Sequence, residues 1–138
     1  MICPICKNTF LLSQKSAPVT GSAEDLQTAR NLEDTLRAHA SECIGMAANM
    51  IGVRKRIIIV GLGPAAIVML NPVIESGAGE YEASEGCLSL TGSRTVRRFR
   101  QITVSWQDTA MRQQKRQFSG LPAQIIQHEC DHLEGILV

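Results

Sequence analysis

The chain has 138 residues, 44 % of them hydrophobic and 20 % charged, with a formal net charge of +1. That is the size and make-up of one folded domain, here residues 1–138, and it excludes a disordered chain. A charge this close to zero gives no long-range pull toward nucleic acid or an anionic membrane, and no apolar run reaches the length of a membrane span.

The first residues, Met1-Ile2-Cys3-Pro4-Ile5-Cys6-Lys7, show no charged stretch followed by a signal-type apolar core, so the protein is expected in the cytosol. Five cysteines, an odd number without an export signal, are expected as thiols rather than as a disulfide framework. Cys3 and Cys6 form a C-x-x-C, but no second pair stands at zinc-ribbon spacing and the pair does not follow a strand, so it reads as part of an N-terminal arm. Cys43 and Cys130 read as small buried apolar side chains.

From Ser22 to about Glu42 the pattern is helical. Ser22 with Asp25 three residues on is an N-cap signal, and Leu26, Ala29, Leu32, Leu36 and Ala40 recur at helical spacing. His39 falls among the charges of the opposite face and is expected to be solvated. The following run, Gly45-Met46-Ala47-Ala48-Asn49-Met50-Ile51-Gly52, is made of small residues. It suits either a tight turn under the core or a segment that holds a peptide by main-chain hydrogen bonds.

Arg56 to Val60 and Ala66 to Leu70 are apolar runs bounded by Gly61, Gly63-Pro64 and Asn71-Pro72, and are expected as buried strands joined by a turn. Gly61-Leu62-Gly63 leads into Pro64 and not into a helix, which excludes a dinucleotide fingerprint. Val73 to Ile74, Gly79 to Ala83, Thr95 to Phe99, Gln101 to Trp106 and Lys115 to Ser119 are further strands. The fold class is therefore α+β, with mostly antiparallel sheets packed around a C-terminal helix and one N-terminal helix. Arg97, Arg98 and Arg100 are expected on a solvated sheet edge, where arginine discourages edge-to-edge pairing. The alternative is attraction of an acidic partner such as ribosomal RNA.

The last helix is expected to start near Ser119 to Pro122, since proline is tolerated in a first turn, and to end at Gly135. It carries Gln127-His128-Glu129-Cys130-Asp131-His132. Two histidines four residues apart lie on one helix face, so both imidazoles can reach one metal ion while Glu129 stands beside it as a proton acceptor. They share a stripe with Leu121 and Ile125, and burying such groups without a shared cation costs several kcal/mol, roughly. Only six residues follow His132, none of them His, Asp or Cys. The third ligand is expected upstream, at Cys87. A thiolate and two imidazoles leave a fourth position open to solvent, which a catalytic site needs.

Three segments in this order, Cys43 to Met50, Glu85-Gly86-Cys87-Leu88-Ser89, and Gln127 to His132, resemble the three signature motifs of the peptide deformylases. The resemblance runs from about Leu32 to the C-terminus. It implies a bacterial-type enzyme that removes the N-formyl group from the formyl-methionine end of a new polypeptide and releases formate. The cofactor it implies is Fe2+, with Zn2+ or another divalent transition metal as the alternative, since this ligand set suits both. Glu129 would take a proton from water and return it to the leaving amine. The backbone N-H of Leu88 would face the developing oxyanion. The second oxyanion donor of the family is a glutamine at the position of Met50, and methionine donates no hydrogen bond. Loss of one such donor costs about 100- to 1,000-fold in rate elsewhere.

The same resemblance places Arg94 near the bound peptide and makes Glu85 a brace for an arginine or a ligand histidine. Gly45 and Gly86 are expected along the peptide. A pocket of Ile44, Leu121, Ile125 and the stem of His128 would suit an unbranched methionine side chain. Because the first motif departs at Met50 and Cys43, two alternatives stand beside deformylation of nascent peptides. One is an amidase for another small formylated substrate, the other a catalytically weak descendant that binds nascent chains or the ribosome.

Overall fold

The computed structural model describes residues 1–138. Its elements in chain order are α1 (Thr9–Leu12), α2 (Ala23–Ala38), β1 (Gly45–Ala47), a 3-10 turn (Ala48–Ile51), β2 (Ile57–Leu62), β3 (Ala65–Cys87), β4 (Leu90–Gln107), β5 (Gln113–Ser119) and α3 (Gly120–Leu133). The strands form one sheet in the order β1-β2-β3-β4-β5, each antiparallel to its neighbours. The architecture is α+β, as the pattern of elements predicts.

The apolar run in β2 explains the layering. Side chains alternate across a strand, so Ile58 and Val60 leave one face while Ile57 and Ile59 leave the other. Ile58 and Val60 pack with Ala123, Ile126 and Leu133 of α3 in one core, and Ile57 and Ile59 pack with Ala29, Leu32 and Leu36 of α2 in a second. A strand covered by helices on both faces has no polar side, hence the continuous run of isoleucines.

α2 begins where its cap dictates. The Ser22 hydroxyl accepts from the Asp25 N-H at 3.1 Å, and the Asp25 carboxylate accepts from the Ser22 N-H at 3.3 Å. The helix stops at Ala38, a little earlier than expected. His39 caps it and its ring meets Glu42 at 3.1 Å. The N-terminal arm holds a short helix, α1, that the sequence reading leaves out. Its Cys6 N-H donates to the Met50 carbonyl at 2.7 Å.

The largest departure lies in the middle of the chain. Three expected strands merge into β3 and two into β4. Asn71-Pro72 does not end a strand. The register slips between Leu70 and Val73, so both residues bulge out of the ladder. Asn71 takes a positive φ of 51°, and its amide holds Val19 and Gln107. A bulge also disposes of the missing proline N-H. The long hairpin that results ends in the two-residue turn Leu88-Ser89, with Cys87 opposite Leu90.

Candidate metal centre

The hairpin tip sets Cys87 over α3, where His128 and His132 stand one turn apart with ring centroids 4.6 Å from each other. A ligand atom from each of the three side chains lies within 4.8 Å of the other two. α3 is held in place by Gln127, whose side chain imitates a strand: its Oε1 accepts from the Phe99 N-H at 2.8 Å and its Nε2 donates to the Phe99 carbonyl at 2.9 Å. The other end of the helix closes at Gly135, with the Ile136 N-H returning to the Asp131 carbonyl at 2.9 Å.

The outer nitrogen of each imidazole has a partner, and this decides which nitrogen keeps its lone pair. His128 Nδ1 lies 2.7 Å from Glu85 Oε1, leaving Nε2 as the acceptor. His132 Nε2 lies 3.2 Å from the Val138 main-chain oxygen, leaving Nδ1. That Nδ1 is buried without a hydrogen-bond partner, and so is Glu129 Oε1. The two atoms are 3.3 Å apart but misaligned for a hydrogen bond. Two orphaned buried atoms beside a thiol and a second imidazole are a donor set that one divalent cation satisfies. The residues therefore fit a metal.

Electrostatics point the same way. Burial works against a Cys87 thiolate, but hydrogen bonding from His128 and His132 brings its pKa down to about 6. Burial also works against charge on the imidazoles, yet the thiolate and the carboxylates raise His128 to about 9 and His132 to about 10. Metal-free, the centre holds its negative sulfur with protons, and those protons are what a cation displaces.

Glu85 is the hub behind the ligands. Besides His128 it accepts from Arg98 Nη2 at 2.7 Å and from Gln124 Nε2 at 2.9 Å. Burial raises its pKa and these hydrogen bonds outweigh that, holding it near 2. Arg98 runs on to Asp131 at 2.7 Å. This corrects the sequence reading of Arg98 as a solvated edge residue, because its side chain is only 5 % exposed. Arg97 does pair at the surface with Glu80, and Arg100 lies over the Tyr81 ring at 4.7 Å. Arg98, Asp131, Gln124 and Gln127 are thus parts of the site that sequence reasoning did not assign. The one available signal was that Gln127 and Asp131 sit inside the third motif.

A cavity of about 220 Å³ opens in front of the centre. Ile44, Gly45, Met50, Gly86, Leu88 and Ile125 line it together with His128 and Glu129. Gly45 has no space for a side chain, since a Cβ there would lie 2.5 Å from Ile125 and 3.2 Å from Glu129 Oε2. Leu121 is not brought to the cavity; it is 53 % exposed. It starts the helix on a turn that has already rotated out of the core. Arg94 also stays off the cavity wall, beside Glu85 in the hairpin register, with its Nη1 buried and unpartnered. Asn49 turns away from the cavity and donates to the His132 carbonyl at 2.9 Å, so its amide does not replace the donor missing at Met50. The Met50 sulfur accepts from the Ala47 N-H at 3.5 Å. Cys43 is half-buried on the cavity wall, and burial pushes its thiol up to about 11.

Comparison with known proteins gives a consistent picture. A family model described as polypeptide deformylase matches residues 2–138. A peptide deformylase of Clostridium beijerinckii is 46 % identical over 138 residues, covering all of both chains. One from Thermomicrobium roseum is 39 % identical, covering 91 % of this chain and 77 % of its own. Among solved structures, the class I type b peptide deformylase of Acinetobacter baumannii bound to Met-Ala-Ser superposes with a TM-score of 0.90 at 31 % identity, covering 99 % of this chain and 97 % of that one. The Thermotoga maritima peptide deformylase gives 0.89 at 26 % identity, covering 99 % and 95 %.

Proposed function

The chain belongs to the peptide deformylase family, and on that premise we propose that Cys87, His128 and His132 hold a divalent metal while Glu129 moves the proton that removal of an N-formyl group requires. It is a metal-dependent hydrolase that takes the formyl group from new polypeptides. The carrying observation is the cluster of one sulfur and two ring nitrogens within 4.8 Å, with Glu129 buried beside it.

A divalent metal at that position supplies positive charge that makes water more acidic and polarises a carbonyl. Iron(II) is the ion we assign, with zinc(II) as the alternative. Glu129 accepts a proton from the attacking water and passes it to the leaving amine, so one carboxylate serves as base and then as acid. The Leu88 N-H donates to the developing oxyanion from the hairpin turn, without help from position 50. The peptide lies extended between the unpaired edge of β1 at Gly45 and Gly86, and its methionine side chain enters beside Ile44 and Ile125. No helix is long and apolar enough to cross a membrane. Of the arginines around Arg98, Arg97 pairs with Glu80 at the surface and Arg100 stacks on Tyr81, while Arg98 itself is buried.

Formate release from formyl-Met-Ala-Ser by iron-loaded protein tests this. The Glu129→Gln variant is expected to bind iron as before and to lose about 100- to 10,000-fold in kcat. Full activity in that variant would refute the role given to Glu129. Turnover of a non-peptide formamide alone would favour the amidase alternative.

A further inference from the structure

Gln124 stands one turn before His128 on α3, so the two side chains share a face and both line the cavity. Its Nε2 donates to Glu85 Oε2 at 2.9 Å, and its Oε1 accepts from the Tyr81 hydroxyl at 3.3 Å. Glu85 meets His128 Nδ1 at 2.7 Å through its other oxygen. Two hydrogen bonds therefore link the Gln124 amide to the His128 imidazole. Tyr81 is steadied by Arg100 across its ring. An amide has two N-H donors and two lone pairs, so Gln124 retains one of each after these contacts. Ser84 is the other neutral hydroxyl or amide of the lining, where Ile44 and Ile125 supply apolar surface beside the carboxylates of Glu42, Glu85 and Glu129.

We propose that Gln124 is a specificity-determining residue for the first side chain of the substrate and, through the same amide, a positioning residue for His128. The inference rests on the reading of this cavity as the place where the first residue of a peptide binds. A hydrocarbon wall does not favour a thioether over the methylene that replaces it in norleucine. An amide N-H distinguishes them, because sulfur accepts a weak hydrogen bond and methylene does not. A first side chain ending in an acceptor holds the amide in the plane that keeps Nε2 on Glu85. Glu85 in turn keeps the His128 ring aimed at the metal.

The test uses zinc-loaded protein and needs no turnover. Calorimetry compares the binding of Met-Ala-Ser with that of norleucine-Ala-Ser, and a chelator in excess measures the rate of zinc loss. Wild type is expected to bind the methionine peptide about 3- to 10-fold more tightly. In Gln124→Leu that ratio falls to one or inverts, and zinc is lost about 10-fold faster. Tyr81→Phe, which frees Oε1 but leaves the wall in place, shifts both readouts the same way by a smaller factor. A wild-type ratio near one, or either readout standing at its wild-type value in Gln124→Leu, overturns the proposal. Formate release by the wild type is scored separately, so a failed deformylase assay and a failed role for Gln124 are told apart.

Discussion

On the α3 side of the cavity, Glu85 accepts from His128, Arg98 and Gln124, and Arg98 continues to Asp131. On the β1 side, Met50 offers a thioether whose one polar contact is its neighbour's N-H, and Asn49 faces the other way. On the side of the candidate metal ligands, Glu85 and Arg98 have their hydrogen bonds saturated and their charges paired. The side that meets the reacting carbonyl is packed for shape and lacks a side-chain donor. On the proposed reading, the bracing of the metal ligands and the stabilisation of the oxyanion fall to different walls.

Breaking the saturated side is expected to have the largest effect. Arg98→Leu leaves Glu85 and Asp131 without their shared cation and should destabilise the fold by about 3 to 5 kcal/mol, read from denaturant unfolding. Supplying the missing donor on the other wall comes next. Met50→Gln should raise kcat by about 10-fold with little change in metal content, at a cost in stability of about 1 to 2 kcal/mol for the buried amide. An unchanged kcat would mean that the Leu88 N-H suffices.

The pH dependence of the saturated side follows from Glu85. Its folded pKa, near 2, lies below the ordinary 4.5, so the stability it contributes is complete above about pH 4.5 and is lost as pH falls toward 2. Unfolding of the metal-free protein across this range should show the loss, and Glu85→Gln should flatten it. The smallest effect belongs to a neighbour of Arg98. Arg97 pairs with Glu80 in solvent, with side chains 70 % and 58 % exposed, and Arg97→Ala should cost under about 1 kcal/mol. Parity between Arg97→Ala and Arg98→Leu would remove the distinction drawn between the buried ion pair and the exposed one.

Local geometry made much of this legible in the sequence. Two histidines four apart on a helix, an N-cap serine with its aspartate, and a run of isoleucines covered on both faces are set by residues within a turn or a strand of one another. The departures share a different cause. Arg97 and Arg98 look alike in sequence, yet strand alternation sends one to solvent and the other under α3, where Glu85 and Asp131 wait from distant segments. Asn71-Pro72 carries the marks of a turn, but partners in Val19 and Gln107 make a bulge of it and let β3 run through.

The sequence by itself determined the family, the α+β class and the chemical types gathered in the third motif. Only the tertiary structure decided that Cys87 rides a hairpin tip onto α3, that Gln124 joins the cavity wall to Glu85, and that Leu121 faces solvent. The reason is physical: a side chain's chemistry and its period along an element are local properties, whereas its partner is chosen by strand register and helix docking between residues far apart in the chain.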